Sequence, residues 1–375
     1  MKRQLTTRPR AGRAAAGLLT LLLAAGVASC DDFLSTEPRG ELTTPNFFTN
    51  ASHAEQATNA TYSMLRDWAV HVFAWVGVTD IVSDDATKGS VPADAGFLLD
   101  VDDLNFDPGN TAFSTVWEGY YKGIYRANVA IANIPQVDMD ESVKARLLAE
   151  NRFLRAYYYF FLVRAFGGVP LITEPLSPAE FAQTRATAEE VYAQIEADLL
   201  AAAEDLPLEY GAGDVGRATA GAARSLLGKV YLFQGEHENA YGQLSQVINS
   251  GVYSLYPTYW QLFTAAGENS SESVFEVQNT TLEAGGGSSQ YAQVQGIRGV
   301  PNVGWGFNTP SPDLEASYEP GDPRLQTTIL YPWEMLPDDP TRVVYLNPSM
   351  PNNRYSQKVY TSPETTGGSI SSTSA

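Results

Sequence analysis

The sequence predicts a mainly α-helical fold, in which tetratricopeptide-like helical pairs carry a loop-rich half. Three observations point to it. Apolar residues recur at intervals of three and four along several long segments. Leu227, Gly228, Tyr231, Ala240 and Leu244 stand at the spacing of a tetratricopeptide hairpin, where small residues let two antiparallel helices approach closely. Finally, 12 of the 22 prolines fall in the last 125 residues, where the helical rhythm gives way to turns. At 375 residues and 44% hydrophobic, the chain is long and apolar enough for one large or two ordinary domains.

Ahead of the fold, Lys2, Arg3, Arg8, Arg10 and Arg13 precede an apolar stretch over residues 14–28 that is too short to span a bilayer. This is the layout of a secretory signal. Gly26, Val27, Ala28 and Ser29 lead into Cys30, the single cysteine, and the sequence resembles a bacterial lipoprotein box. The expected organisation is a lipoprotein signal peptide (1–29), an extended lipid-anchored lead-in (30–48), a helical part (49–265), a loop-rich part (266–360) and a tail that cannot pack (361–375).

Within the fold, Ser52 with Glu55 forms a capping-box pattern, and Ala57, Ala60, Met64 and Leu65 continue a stripe toward Trp68. Residues 76–112, rich in Asp, Gly and Pro, read as a long irregular excursion. Trp117, Tyr121, Ile124, Asn128 and Ile131 mark one face of a helix that stops at Pro135. Residues 152–166 are apolar on every side and belong at the centre of a helical packing, which requires partners for Arg155 and Arg164. Gly167, Gly168 and Pro170 end that helix, and Thr187 with Glu190 opens the next, which runs to Pro207. A short strand is expected near residues 273–277.

Several chemistries are excluded. Removing the five basic residues of the leader moves the net charge from −19 to −24, which disfavours nucleic acid and anionic lipid. One cysteine rules out an internal disulfide and a cysteine-based zinc site, and His53, His71 and His237 lack metal-ligand spacing, so neither metal nor cofactor is expected. Gly211, Gly213 and Gly216, with Glu236 beyond, match a dinucleotide fingerprint, but they follow a helix and read as an inter-helix linker. Asp103, Asn105 and Asp107 alternate like a calcium loop, but Pro108 and Ser114 stand where glycine and glutamate are required. Asp84 beside Asp85 does not by itself provide opposed acid and base faces, so no enzymatic activity is expected.

What remains distinctive is aromatic side chains in turns. A rigid aromatic face suits the apolar face of a sugar ring, while nearby polar groups bond its hydroxyls. Trp75, Tyr291, Trp305 and Phe307, with Asp84 as a polar partner, are the candidate ligand-binding residues. Trp305 lies between Gly304 and Gly306, an awkward setting for a regular core element, whereas Trp117 and Trp68 are assigned to the core.

The chain resembles the SusD/RagB family of outer-membrane nutrient-binding lipoproteins over roughly residues 30–360. The matching pieces run in order: CDDFLSTEP after the lipobox, SDDA at 83–86, WEGYYKGIYRAN at 117–128 and FLRAYYYFFLVRAFGGVPL at 153–171. TAEEVYAQIEADLLAAAEDLP at 187–207, RATAGAARSLLGKVYLFQG at 217–235, EPGDPR at 319–324 and Lys358 of SQKVY follow. The resemblance implies a SusD-like fold on the cell surface, lipid-anchored in the outer membrane. It also implies capture of an oligosaccharide or other nutrient for a SusC-like TonB-dependent transporter. Two alternatives remain: a helical-repeat scaffold that binds only protein, and a surface glycoside hydrolase. Family members usually run past the matching lysine into another long helix, so either the chain is truncated or that helical pair is absent.

Cys30→Ala is expected to move the protein from the membrane to the soluble fraction, because the anchor is covalent lipid and the acidic mature chain is repelled by anionic headgroups. Fractionation of cells lacking the transporter checks this; a variant that still sediments with membranes contradicts it.

Overall fold

Helix α1 (Ala51–Ser63) starts two residues earlier than its Ser52/Glu55 pattern indicates. Asn50 is the N-cap, its side chain accepting the His53 N–H, and Ser52 lies inside the helix bonded to Gln56. The chain then breaks into two single-turn helices, α2 (Trp68–His71), capped by Asp67, and α3 (Phe73–Val76), and a π-turn at Gly77–Ile81. The excursion expected over residues 76–112 is therefore largely ordered. It holds this π-turn, strand β1 (Ala86–Gly89) and helix α4 (Gly96–Asp102), because its pairing partner lies some two hundred residues downstream, beyond any local pattern.

The long helices follow: α5 (Thr111–Asn133), α6 (Glu141–Phe166), α7 (Ala188–Asp205), α8 (Ala220–Gln234) and α9 (His237–Asn249). Each packs on the next in chain order, as stacked helical hairpins do, and α1 closes over α5 and α6. The described residues are 47–279, 290–336 and 343–360 of a computed structural model. Apart from Phe47, the separate unit Met1–Phe47 lies outside them, as do Cys30, the glycines at 285–287 and the tail from 361 on. Among the described residues no helix is long and apolar enough to cross a membrane.

Local chemistry explains the boundaries. Thr187 and Glu190 form a reciprocal capping box that opens α7, and Gly167 takes the left-handed φ of +70° that ends α6. Helix α6 is buried on nearly every side, and Arg155 within it is matched by Asp198 of α7. Arg164 departs from expectation. It emerges at the surface, where its guanidinium lies over the rings of Phe160 and Phe233 at 4.4 and 5.2 Å.

The remaining elements are short: α10 (Tyr291–Gln295), β2 (Phe307–Pro310), α11 (Pro312–Ser317), α12 (Arg324–Thr328), β3 (Ile329–Leu330) and β4 (Tyr355–Ser356). Strand β2 runs antiparallel to β1, pairing Thr309 with Thr87, and β3 pairs with β4 around Tyr355. Residues 273–277, expected as a strand, form no ladder and run as an irregular stretch beside the helices. A second apolar cluster of Ile297, Val303, Leu330, Val344, Met350 and Tyr355 supports these pieces. Trp117 is half-buried against Tyr121 and Phe166, in keeping with a packing role.

The close approach expected at Gly228 is present, since a Cβ there would come within 2.6 Å of Leu244 on α9. Gly228→Leu is expected to destabilise the fold by about 2–4 kcal/mol through overpacking at this contact. Urea unfolding measures it, and an unchanged midpoint would contradict hairpin packing at this site.

Candidate functional site

Trp75 and Tyr291 meet although they lie far apart in sequence. Their ring centroids are 6.2 Å apart at 61°. They wall an open cleft of about 270 Å³ together with Leu65, His71, Tyr157, Val277 and Asn279. His71, one turn before Trp75, sets its ring edge-on to the indole at 5.3 Å. No carboxylate stands among the described residues that line this cleft.

His71 is held as one neutral tautomer. Its Nδ1–H donates to the Leu65 carbonyl at 2.8 Å, which leaves Nε2 to accept the Tyr157 hydroxyl at 2.8 Å. Burial pushes its pKa down to about 4, with the Leu65 bond opposing the shift, while burial raises the Tyr157 hydroxyl to about 12. The cleft wall therefore carries no ionised imidazole or phenol at neutral pH.

The two sides of the cleft are tied beneath it. Asp80, in the π-turn that follows Trp75, accepts from the Asn308 side-chain N–H at 2.9 Å, and the same amide donates to Gln295 at 2.8 Å. Gln295 ends the helix that Tyr291 begins. Burial raises the Asp80 carboxyl above its ordinary range and the Asn308 bond works against that shift. Asn308 adopts a left-handed φ of +54° to make both contacts.

Trp305 belongs to a second aromatic group. It is half-buried, 5.9 Å from Trp68 and 6.2 Å edge-on to Phe73. Its backbone N–H donates to Gln293, which fixes it to the helix carrying Tyr291. The flanking glycines are required by packing: a Cβ on Gly304 would lie 2.4 Å from the Gly296 backbone, and Gly306 has a φ of +75°. Trp68, assigned to the core from its position in the first stripe, is 38% exposed instead, because α1 ends before it.

Phe307, expected at the binding surface, is 4% exposed in β2, with Phe73 edge-on at 4.8 Å, so its ring offers no open face. All four residues of this strand are buried, Phe307 with them. Asp84 is exposed in the turn before β1, where its carbonyl accepts the Ser311 hydroxyl, and it is not among the residues lining the cleft. His71, Tyr157, Val277 and Asn279 were not singled out as site residues from sequence; only the four-residue spacing of His71 and Trp75 signalled a shared face.

A family model for SusD-like proteins, described as "Starch-binding associating with outer membrane", matches residues 45–232. The chain is similar to a SusD-like protein of Formosa agariphila, with 28% identity over 325 residues, 82% of this chain and 63% of that protein. Among solved structures, a laminarin-binding SusD-like protein shares 32% identity at a TM-score of 0.75, covering 84% of this chain and 73% of that one. The surface glycan-binding protein A of Bacteroides thetaiotaomicron, in complex with laminarihexaose, has a TM-score of 0.70 at 22% identity over 83% of this chain and 71% of that one, a likeness of fold. The chain spans about half to two thirds of the length of the first curated relatives it matches.

Because folded His71 resists protonation, the unfolded chain binds the proton first as the pH falls. The stability it contributes is present above pH 6.5 and is lost toward pH 4. Between pH 7 and pH 5 the loss is expected to be about 2 kcal/mol. Urea unfolding of the wild type and His71→Gln at both pH values checks this, and equal pH dependence in the two proteins would contradict it.

Proposed function

The chain belongs to the SusD/RagB family, and from that premise we propose that it is a non-catalytic glycan-binding protein of the outer-membrane surface. In this reading it is held by lipid at Cys30, captures oligosaccharide and passes it to a SusC-like TonB-dependent transporter. The observation that carries the reading is the cleft between Trp75 and Tyr291. Its indole and phenol rings offer faces to the C–H side of a pyranose, Asn279 offers an amide to a hydroxyl, and His71 stays neutral, so an uncharged ligand enters without an electrostatic penalty.

The 32% identical structure, a laminarin-binding protein, supports a glucan as the first ligand to try. A glycoside hydrolase is disfavoured at this cleft by the lack of a lining carboxylate pair. A scaffold binding only protein would not need paired ring faces around a concave opening. Transfer to the transporter rests on family membership, and co-purification of the two proteins tests it.

Trp75→Ala is expected to weaken binding of laminarihexaose by roughly 1–3 kcal/mol, the usual cost of one lost stacking contact. Trp305→Ala is expected to weaken it less, because that ring is partly covered by Trp68 and Phe73, and Trp117→Ala should lower stability without changing affinity. Isothermal titration of the three folded variants decides this. Unchanged affinity in Trp75→Ala removes the cleft from the binding surface, and release of reducing ends would revive the hydrolase.

A further inference from the structure

The cleft at Trp75 is the first of three depressions along the irregular stretch 273–279. A middle one of about 320 Å³ shares Leu65 and Val277 with it and is walled by Tyr62, Gly213 and Gln278. A distal one of about 280 Å³ shares Gly216, Arg217, Phe275 and Glu276 with the middle one and is closed by Tyr253, Asn269 and Ser270. Each opening thus begins where the previous one ends.

The walls of the outer two are built to stay in place. Gly216 has a φ of +90°, and a Cβ there would lie 2.1 Å from the Gln278 side chain, so the connector between α7 and α8 sits directly against the stretch. Gln278 and Asn269 exchange side-chain amide bonds, and Glu276 accepts the Asn269 backbone N–H. Arg217 is bonded to Glu150, Asp214 and Asn59.

The exposed chemistry is that of a polyhydroxylated ligand. Asn59, Gln278 and Asn269 supply amides and Thr219, Ser271 and Ser273 hydroxyls, beside the rings of Tyr62 and Tyr253. The Ser270 hydroxyl oxygen is buried in the wall of the distal depression without a hydrogen-bond partner among the described residues, and the exposed Ser271 beside it lines the opening. Arg217 is already matched by two carboxylates, and Glu209 and Glu276 outnumber Arg66, the other cation of the lining, so the trough is net negative and disfavours a polyanion.

We propose that the three depressions form one trough, in which a neutral glycan chain seated on Trp75 and Tyr291 continues past Arg217 to a distal subsite at Asn269, Ser271 and Tyr253. This rests on the glycan-binding reading and extends it from a local contact to recognition of an extended, uncharged chain.

The test is a length series. Laminari-, cello- and malto-oligosaccharides of three and seven units are titrated into wild type, Gly213→Leu and Ser271→Leu. Gly213 has open space around its Cβ position and Ser271 is exposed, so both substitutions obstruct the trough without entering the core. In at least one series the wild type is expected to bind the heptasaccharide about tenfold more tightly than the trisaccharide, as a few added hydrogen bonds would give. Both variants should bind the trisaccharide like wild type, which also shows that they are folded, and lose most of the gain. A heptagalacturonide should bind more weakly than the best neutral heptasaccharide. Equal affinity for three and seven units in every series that binds, or a full gain in both variants, refutes the trough and leaves the Trp75 cleft standing. Absence of binding in all three series refutes both, and equal binding of the galacturonide refutes the preference for neutral chains.

Discussion

Arg155 is the fastening on which the helical stack depends. Its guanidinium takes both carboxylate oxygens of Asp198 at 2.8 and 2.7 Å, and one nitrogen also reaches Asn128 and the Thr173 carbonyl at 2.8 Å. One side chain thereby ties α5, α6, α7 and the connector that follows α6. A buried ion is tolerable only when its donors are met, and removal of one partner from such a pair typically costs about 3–5 kcal/mol. The register between three helices is therefore set by geometry as well as by apolar contact. Below it, Glu150, fully buried, joins Arg146 to Arg217 and so fastens α6 to the segment entering α8.

The aromatic cleft inherits its position from this stack. Gly119 on α5 lies so close to α2 that a Cβ there would be 2.7 Å from that of Ala69. Gly123, one turn on, leaves room for the ring of Tyr158. These two glycines let α2 and α6 seat on α5, and so place His71, Trp75 and Tyr157 around one opening. The far wall arrives separately, through Asp80, Asn308 and Gln295. Rigid helices on one side and a hydrogen-bonded relay on the other hold the rings at a fixed separation, the preorganisation that makes a binding surface efficient.

The parts of the structure written in local pattern were legible in the sequence. Thr187 and Glu190 carry their helix start within four residues, and Gly228 opposite Leu244 follows from spacing alone. The need for a partner to Arg155 was evident from the apolar run around it, although Asp198 could not be named. Features that depend on distant pairing were not legible. Strand β1 looked like loop because it is completed by residues 307–310, and Phe307 looked like a platform because the same pairing buries it. Trp68 looked like core because nothing local shows that α1 stops at Ser63. Trp75 and Tyr291 were recognised one by one from residue type, and only the tertiary structure makes them a pair.

The helices α2 and α3, four residues each, have a consequence for the order of folding. A single helical turn fixes more backbone torsions than its hydrogen bonds repay, so neither segment holds its shape in isolation. Both acquire it by docking on α5, whose own 23 residues are stabilised by α6. The surface that carries Trp75 thus takes form only together with the helices it docks on. A newly made chain offers no cleft until its stack is assembled, which couples the appearance of the recognition surface to completion of the scaffold that bears it.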